Sequence, residues 1–126
     1  FVRRTEVDAV AVSVGTVHRM EVQAAELDFD LLDRIQRRVR TPLVIHGSTG
    51  VPDEGLRRLA ATRVAKINIG TALRMAFGKT LRQEMERRPQ EFDRIKLFRE
   101  PMEAVREAAL NKIKLLGSGG AADGGA

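Results

Sequence analysis

At 126 residues, 43% hydrophobic and 31% charged, the chain has the length and composition of one soluble globular domain. No apolar run is long enough for a membrane-spanning helix and no charged-then-apolar leader opens the chain. Zero cysteines exclude a disulfide scaffold and Cys-ligated metal, so a cytoplasmic location is expected. The 22 Lys and Arg against 17 Asp and Glu leave +5, but acids are interleaved with the basic pairs and five Phe without Tyr or Trp offer few stacking platforms. Neither a nucleic-acid partner nor a membrane is expected.

Asp8 to Gly15, DAVAVSVG, is a β-branched run closed by glycine and predicts a strand buried on both faces. Glu26 to Arg40 predicts a helix, with Asp28 or Asp30 as cap and Leu31, Leu32, Ile35 and Val39 on one stripe. Thr41-Pro42 ends it, and Leu43 to His46 is too short and too apolar for anything but a second buried strand. A small loop, Gly47-Ser48-Thr49-Gly50, leads to a helix that Pro52, Asp53 and Glu54 open and that carries Leu56, Leu59 and Ala60 inward to about Arg63.

Val64 to Ile69 is a third short strand, closed by Gly70-Thr71. From Thr71 a longer helix places Leu73, Phe77, Leu81 and Met85 together and ends near Pro89. A last helix is expected with Pro101 in its first turn, burying Met102, Val105, Ala109, Ile113 and Leu116, and stopping at Gly117. Residues 117–126 hold five of the eleven glycines and read as a flexible tail.

Short buried strands alternating with amphipathic helices mean an α/β fold of parallel βαβ units, either a doubly wound sheet or part of a (β/α)8 barrel. In both, chemistry sits at the carboxyl ends of the strands. The only two histidines, His18 and His46, fall at two such ends; a lone strand-end histidine is more often structural, but two imidazoles at one mouth point to a transition metal, zinc by its taste for nitrogen ligands. A catalytic zinc takes three protein ligands, so a carboxylate or residues outside this sequence must complete it. Gly, Ser and Thr in the two loops allow backbone N–H groups to approach an anion, as in a phosphate cradle, although ordinary strand-to-helix turns also need glycine.

Four segments in order, TEVDAVAVSVGTVH, LDFDLLDRI, TPLVIHGSTGVPDE and VAKINIGTALRMAF, resemble the C-terminal part of class II, zinc-dependent fructose- and tagatose-bisphosphate aldolases. The ending, EFDRIKLFREPMEAVREAALNKIKLLGSGG, is similar to the close of that family. The resemblance covers nearly all of this chain but roughly the last two-fifths of a family member. It implies that residues 1–116 are the C-terminal portion of a (β/α)8 TIM barrel, strands six to eight with their helices, and that 117–126 form the tail.

It further implies aldol cleavage of a phosphorylated ketose, such as fructose or tagatose 1,6-bisphosphate, to dihydroxyacetone phosphate and an aldehyde, zinc stabilising the enediolate. By resemblance His18 and His46 are metal ligands for Zn²⁺ or another divalent ion, with a monovalent cation as a further cofactor. Gly47, Ser48 and Thr49 would cradle the substrate phosphate, completed by Asn68, Ile69, Gly70 and Thr71, with Arg19 as an added clamp. The acid/base residue is expected in the earlier strands, and the full-length protein as a homodimer or homotetramer. Three positions depart from the family pattern: Arg19 and Ser48 replace glycines, and Ala72 replaces an acid. They motivate an alternative, a catalytically inactive relative that binds sugar phosphate. An isolated chain of three βα units, unable to close a barrel, is expected to lack activity and to aggregate or to join a complementary fragment.

Overall fold

A computed structural model describes residues 1–16 and 22–119. These divide into two units, Phe1–Ile69 and Gly70–Ala126. His18 and Arg19, and the glycine-rich stretch from 120 onward, lie outside the described residues.

The first unit is built on β2 (Leu43–Ile45), whose Leu43 and Ile45 are fully buried. It lies between β1 (Val10–Val12) and β3 (Val64–Ile67) in a parallel sheet of order β1-β2-β3. Val10 pairs with Leu43 and Val12 with Ile45; on the other side Leu43 faces Val64 and Ile45 faces Ile67, with a register slip between Leu43 and Val44. The expectation of strands buried on both faces is met by none of the three: β2 comes nearest, burying Leu43 and Ile45 on one face and leaving Val44 half-buried on the other. In β1 Ala11 is exposed, and in β3 Ala65 and Lys66 are exposed, because both strands are edges of a three-stranded sheet.

Parallel strands require crossovers, and the sequence supplies helices for both. After a single turn, α1 (Val2–Thr5), and β1, the chain forms α2 (Phe29–Arg38). Asp28 caps α2, its carboxylate accepting from the Leu31 N–H at 2.7 Å, and Leu32 is buried. The second crossover is a turn of 3-10 helix at Ser48–Gly50 followed by α3 (Asp53–Ala60). Leu56 and Leu59 have no exposed surface and join Val14, Ala25, Leu32, Leu43, Ile45 and Val51 in one core. Ala60, expected inward, is exposed at the last position of a helix that stops three residues early. The Arg58 guanidinium stacks 3.7 Å over the Phe29 ring, tying α3 to α2.

The second unit is a helical hairpin of α4 (Thr71–Arg87) and α5 (Arg94–Leu115). Here the sequence expectation needs correction. The last helix does not begin at Pro101. Asp93 caps it, its carboxylate accepting from the Ile95 N–H at 2.9 Å, and Pro101 sits buried inside the helix. Pro101 removes one backbone donor there, a local loss that neighbouring turns and the hairpin packing outweigh. Met85, Met102 and Ile113, expected in the core, are 54%, 58% and 43% exposed, because two helices cover only the strip between them. That strip contains an edge-to-face pair, Phe77 and Phe98, with ring centroids 5.3 Å apart.

The hairpin's turn is held by charge. Glu84 is buried and bonds Arg87 at 2.6 Å and Arg88 at 2.5 Å, while Arg88 also donates to the Lys96 carbonyl at 3.1 Å. The hydrogen bond from Arg87, with that from Arg88, holds the Glu84 carboxyl below the ordinary glutamate range against the opposing effect of burial.

Candidate functional site

The carboxyl ends of β2 and β3 meet through hydrogen bonds that extend the sheet ladder. The Asn68 N–H donates to the Ile45 carbonyl at 2.9 Å, and the Ser48 N–H reaches the Asn68 carbonyl at 3.4 Å. The parallel register that pairs Ile45 with Ile67 brings the next residues, His46 and Asn68, side by side. Their side chains touch: the Asn68 amide nitrogen is 3.1 Å from His46 Nδ1. His46 is exposed.

The chain leaves β2 through Gly47, whose φ of 65° lies in the left-handed region where glycine has no Cβ penalty. Ser48 needs no such freedom. Glu6 is the one non-glycine residue of positive φ among the described residues, so serine at 48 is compatible with the backbone it occupies. Its side chain is buried, and the hydroxyl makes a long 3.5 Å bond to the Ile45 carbonyl. Ser48 therefore offers the loop its backbone, while its hydroxyl is turned toward β2. Thr49 is half-buried, and Gly50 and Val51 are buried.

The first unit thus brings together His46, Gly47, Ser48, Thr49, Asn68 and Ile69. Gly70 and Thr71 belong to the second unit, where Gly70 stands at the N-cap of α4 and Thr71 opens the helix. Arg74, one turn on, donates to the Thr71 hydroxyl at 3.3 Å and lies against Gly70. His18 and Arg19 lie outside the described residues.

The sequence reading did not single out Arg74, although its spacing of three from Thr71 on a helix is a legible signal. Nor did it single out Gln23, a loop residue with no local signature, whose amide reaches Val51 and Asp53 across 28 and 30 residues.

Among the described residues no group of three or more His, Cys, Asp or Glu side chains could hold a metal ion. His46 can serve as one nitrogen ligand through Nε2 when Nδ1 carries the proton and the Asn68 amide turns its oxygen to accept it. With the amide nitrogen donating to Nδ1, as here, the ring has no free lone pair for a metal. A complete site would need His18 and donors from beyond this chain. Among the described residues, no helix is long and apolar enough to cross a membrane.

The chain matches the family described as fructose-bisphosphate aldolase class-II over residues 1–121. Among solved structures it is similar to the YdjI aldolase of Escherichia coli K12, at 35% identity and a TM-score of 0.76, over 94% of this chain and 42% of that one. The backbone is also similar to that of a candidate fructose-1,6-bisphosphate aldolase from Coccidioides immitis, at 24% identity and a TM-score of 0.77, over 96% of this chain and 42% of that one. The second likeness speaks to fold alone. The chain spans well under half the length of both neighbours.

Proposed function

Because the chain belongs to the class II fructose-bisphosphate aldolase family, we propose that it supplies part of the site for aldol cleavage of a phosphorylated ketose. Residues 1–116 would be the last three βα units of a (β/α)8 barrel, and 117–126 its tail. The open outer edge of β1 in a three-stranded parallel sheet supports this, since barrel closure would pair that edge with a preceding strand.

The observation that carries the reading is the placement of His46 and Asn68 side by side at two paired strand ends, directly before a glycine turn. His46 and His18 would hold a divalent metal together with ligands from the rest of the protein. When bound, that metal supplies Lewis-acid polarisation of the ketose carbonyl. Asn68 holds one edge of the imidazole, limiting the orientations His46 can take. Backbone N–H groups of Gly47, Ser48 and Thr49, with Asn68 and Ile69 at the adjoining strand end, would bind the phosphate, so that affinity distant from the breaking bond positions it. Arg19 would add a clamp from the preceding loop. The proton-exchanging acid would come from outside this chain.

The test uses the full-length, zinc-loaded protein. Release of dihydroxyacetone phosphate from fructose or tagatose 1,6-bisphosphate is the expected result. Tight sugar-phosphate binding with no turnover would instead identify a binding protein.

A further inference from the structure

The segment that enters α2 lies across the 3-10 turn of the candidate phosphate loop. The Ala25 N–H donates to the Gly50 carbonyl at 2.9 Å, and Ala25 is buried there. Gln23 adds a second fastening, its amide donating to the Val51 carbonyl and to the Asp53 carboxylate, each at 3.3 Å. Val51 is fully buried, and the helix that follows starts its bonding one residue later, with Leu56 N–H on the Pro52 carbonyl. The Val51 carbonyl is therefore left outside the ladder of α3, and Gln23 satisfies it. Pro52 at the N-cap carries no capping side chain, so the same amide, through Asp53, also steadies the first turn.

At its other end the segment is equally confined. The Asp28 N–H donates to the Val14 carbonyl at 2.9 Å, and Gly15, at φ 103°, passes so close to the Glu26 carbonyl that a Cβ there would stand 2.1 Å from it. Two consecutive carbonyls of the loop, Gly50 and Val51, are thus anchored to a piece of chain itself clamped to the exit of β1. A loop held from behind keeps its backbone arranged before an anion arrives, which lowers the ordering cost of binding.

We propose that Gln23 is a positioning residue that fastens the β1–α2 connection to the Gly47–Val51 loop and holds that loop in its phosphate-receiving conformation. The inference rests on the phosphate reading above and adds the residue that sets its strength. Gln23→Glu is the sharp variant, because it keeps the shape, cannot donate, and faces both a carbonyl and the Asp53 carboxylate. Gln23→Ala removes the amide outright.

In the full-length protein both variants should weaken inorganic phosphate binding, read by calorimetry, roughly fivefold to tenfold. The KM for the phosphorylated ketose should rise with kcat little changed. Hydrogen exchange should quicken in the peptide spanning 47–53 and stay unchanged in α2, residues 29–38. Wild-type affinity and exchange in both variants would overturn the role of Gln23. Loss of protection extending through α2 would overturn it as well, since the residue would then be merely structural. A wild-type protein that binds no phosphate would overturn the phosphate reading itself, a result distinct from either.

Discussion

The Asn68 amide nitrogen and the His46 Nδ1 lie 3.1 Å apart at the carboxyl ends of adjacent parallel strands. Two backbone bonds frame them, Asn68 N–H to Ile45 and Ser48 N–H to Asn68, so the amide is fixed by the sheet before it meets the ring. Removing it in Asn68→Ala should free the imidazole. Turnover of the full-length protein should fall roughly 10–100-fold, the usual cost of losing such a support. Steady-state kinetics with metal content measured in parallel checks it, and unchanged turnover would remove Asn68 from the site.

His46→Ala in the full-length, metal-loaded protein should abolish both metal retention and carbon–carbon cleavage. Atomic absorption after dialysis, alongside an aldol-cleavage assay, decides the matter. Retained zinc with full turnover would show that His46 is no ligand.

Glu84 predicts a pH dependence in the helical hairpin. Its carboxyl sits below the ordinary range in the folded chain because of Arg87 and then Arg88. A depressed folded value means that the stabilisation is fully present above the unfolded glutamate pKa of about 4.3 and is lost as pH falls through the folded value. Glu84→Gln should lower the thermal midpoint at pH 7, and the gap to wild type should close in acid. A gap that persists or widens at low pH would rule out charge as the cause.

Gly15 and Gly117 both have positive φ, yet their alanine variants should differ. Gly15→Ala drives a Cβ to 2.1 Å from the Glu26 carbonyl, so it should destabilise by on the order of 3 kcal/mol. Gly117→Ala meets nothing within 4 Å and should cost only the left-handed penalty, about 1 kcal/mol. Denaturant titration of the two variants in the full-length protein measures the difference.

Much of the arrangement is readable from local pattern. Short apolar runs ended by glycine identify the strands, Asp28 before Leu31 and Leu32 identifies the start of α2, and the alternation of the two element types implies a parallel sheet. Strand ends then put His46, Gly47 and Asn68 in one region, because parallel strands share one carboxyl edge. Period and capping depend on neighbours within about one turn, which a sequence displays directly.

What the tertiary structure alone decided lies across longer distances. Pro101 in a first turn is a sound local expectation, but the cap at Asp93 and the burial of Pro101 place it within α5. Met85 and Met102 fit an apolar stripe, yet a two-helix hairpin leaves them in solvent. Glu84 has its two arginines within one helical turn, but its burial, with Arg88 reaching the Lys96 carbonyl of α5, comes from the hairpin. Gln23 has no motif, and its meaning comes from carbonyl and carboxylate partners 28 and 30 residues away. The sequence by itself determined the order of the main strands and helices and put His46 and Asn68 at one edge of the sheet, because periodicity, caps and turns are local. Which faces are covered, and which polar side chain holds a loop, depends on what packs against them, and only the folded chain supplies those neighbours.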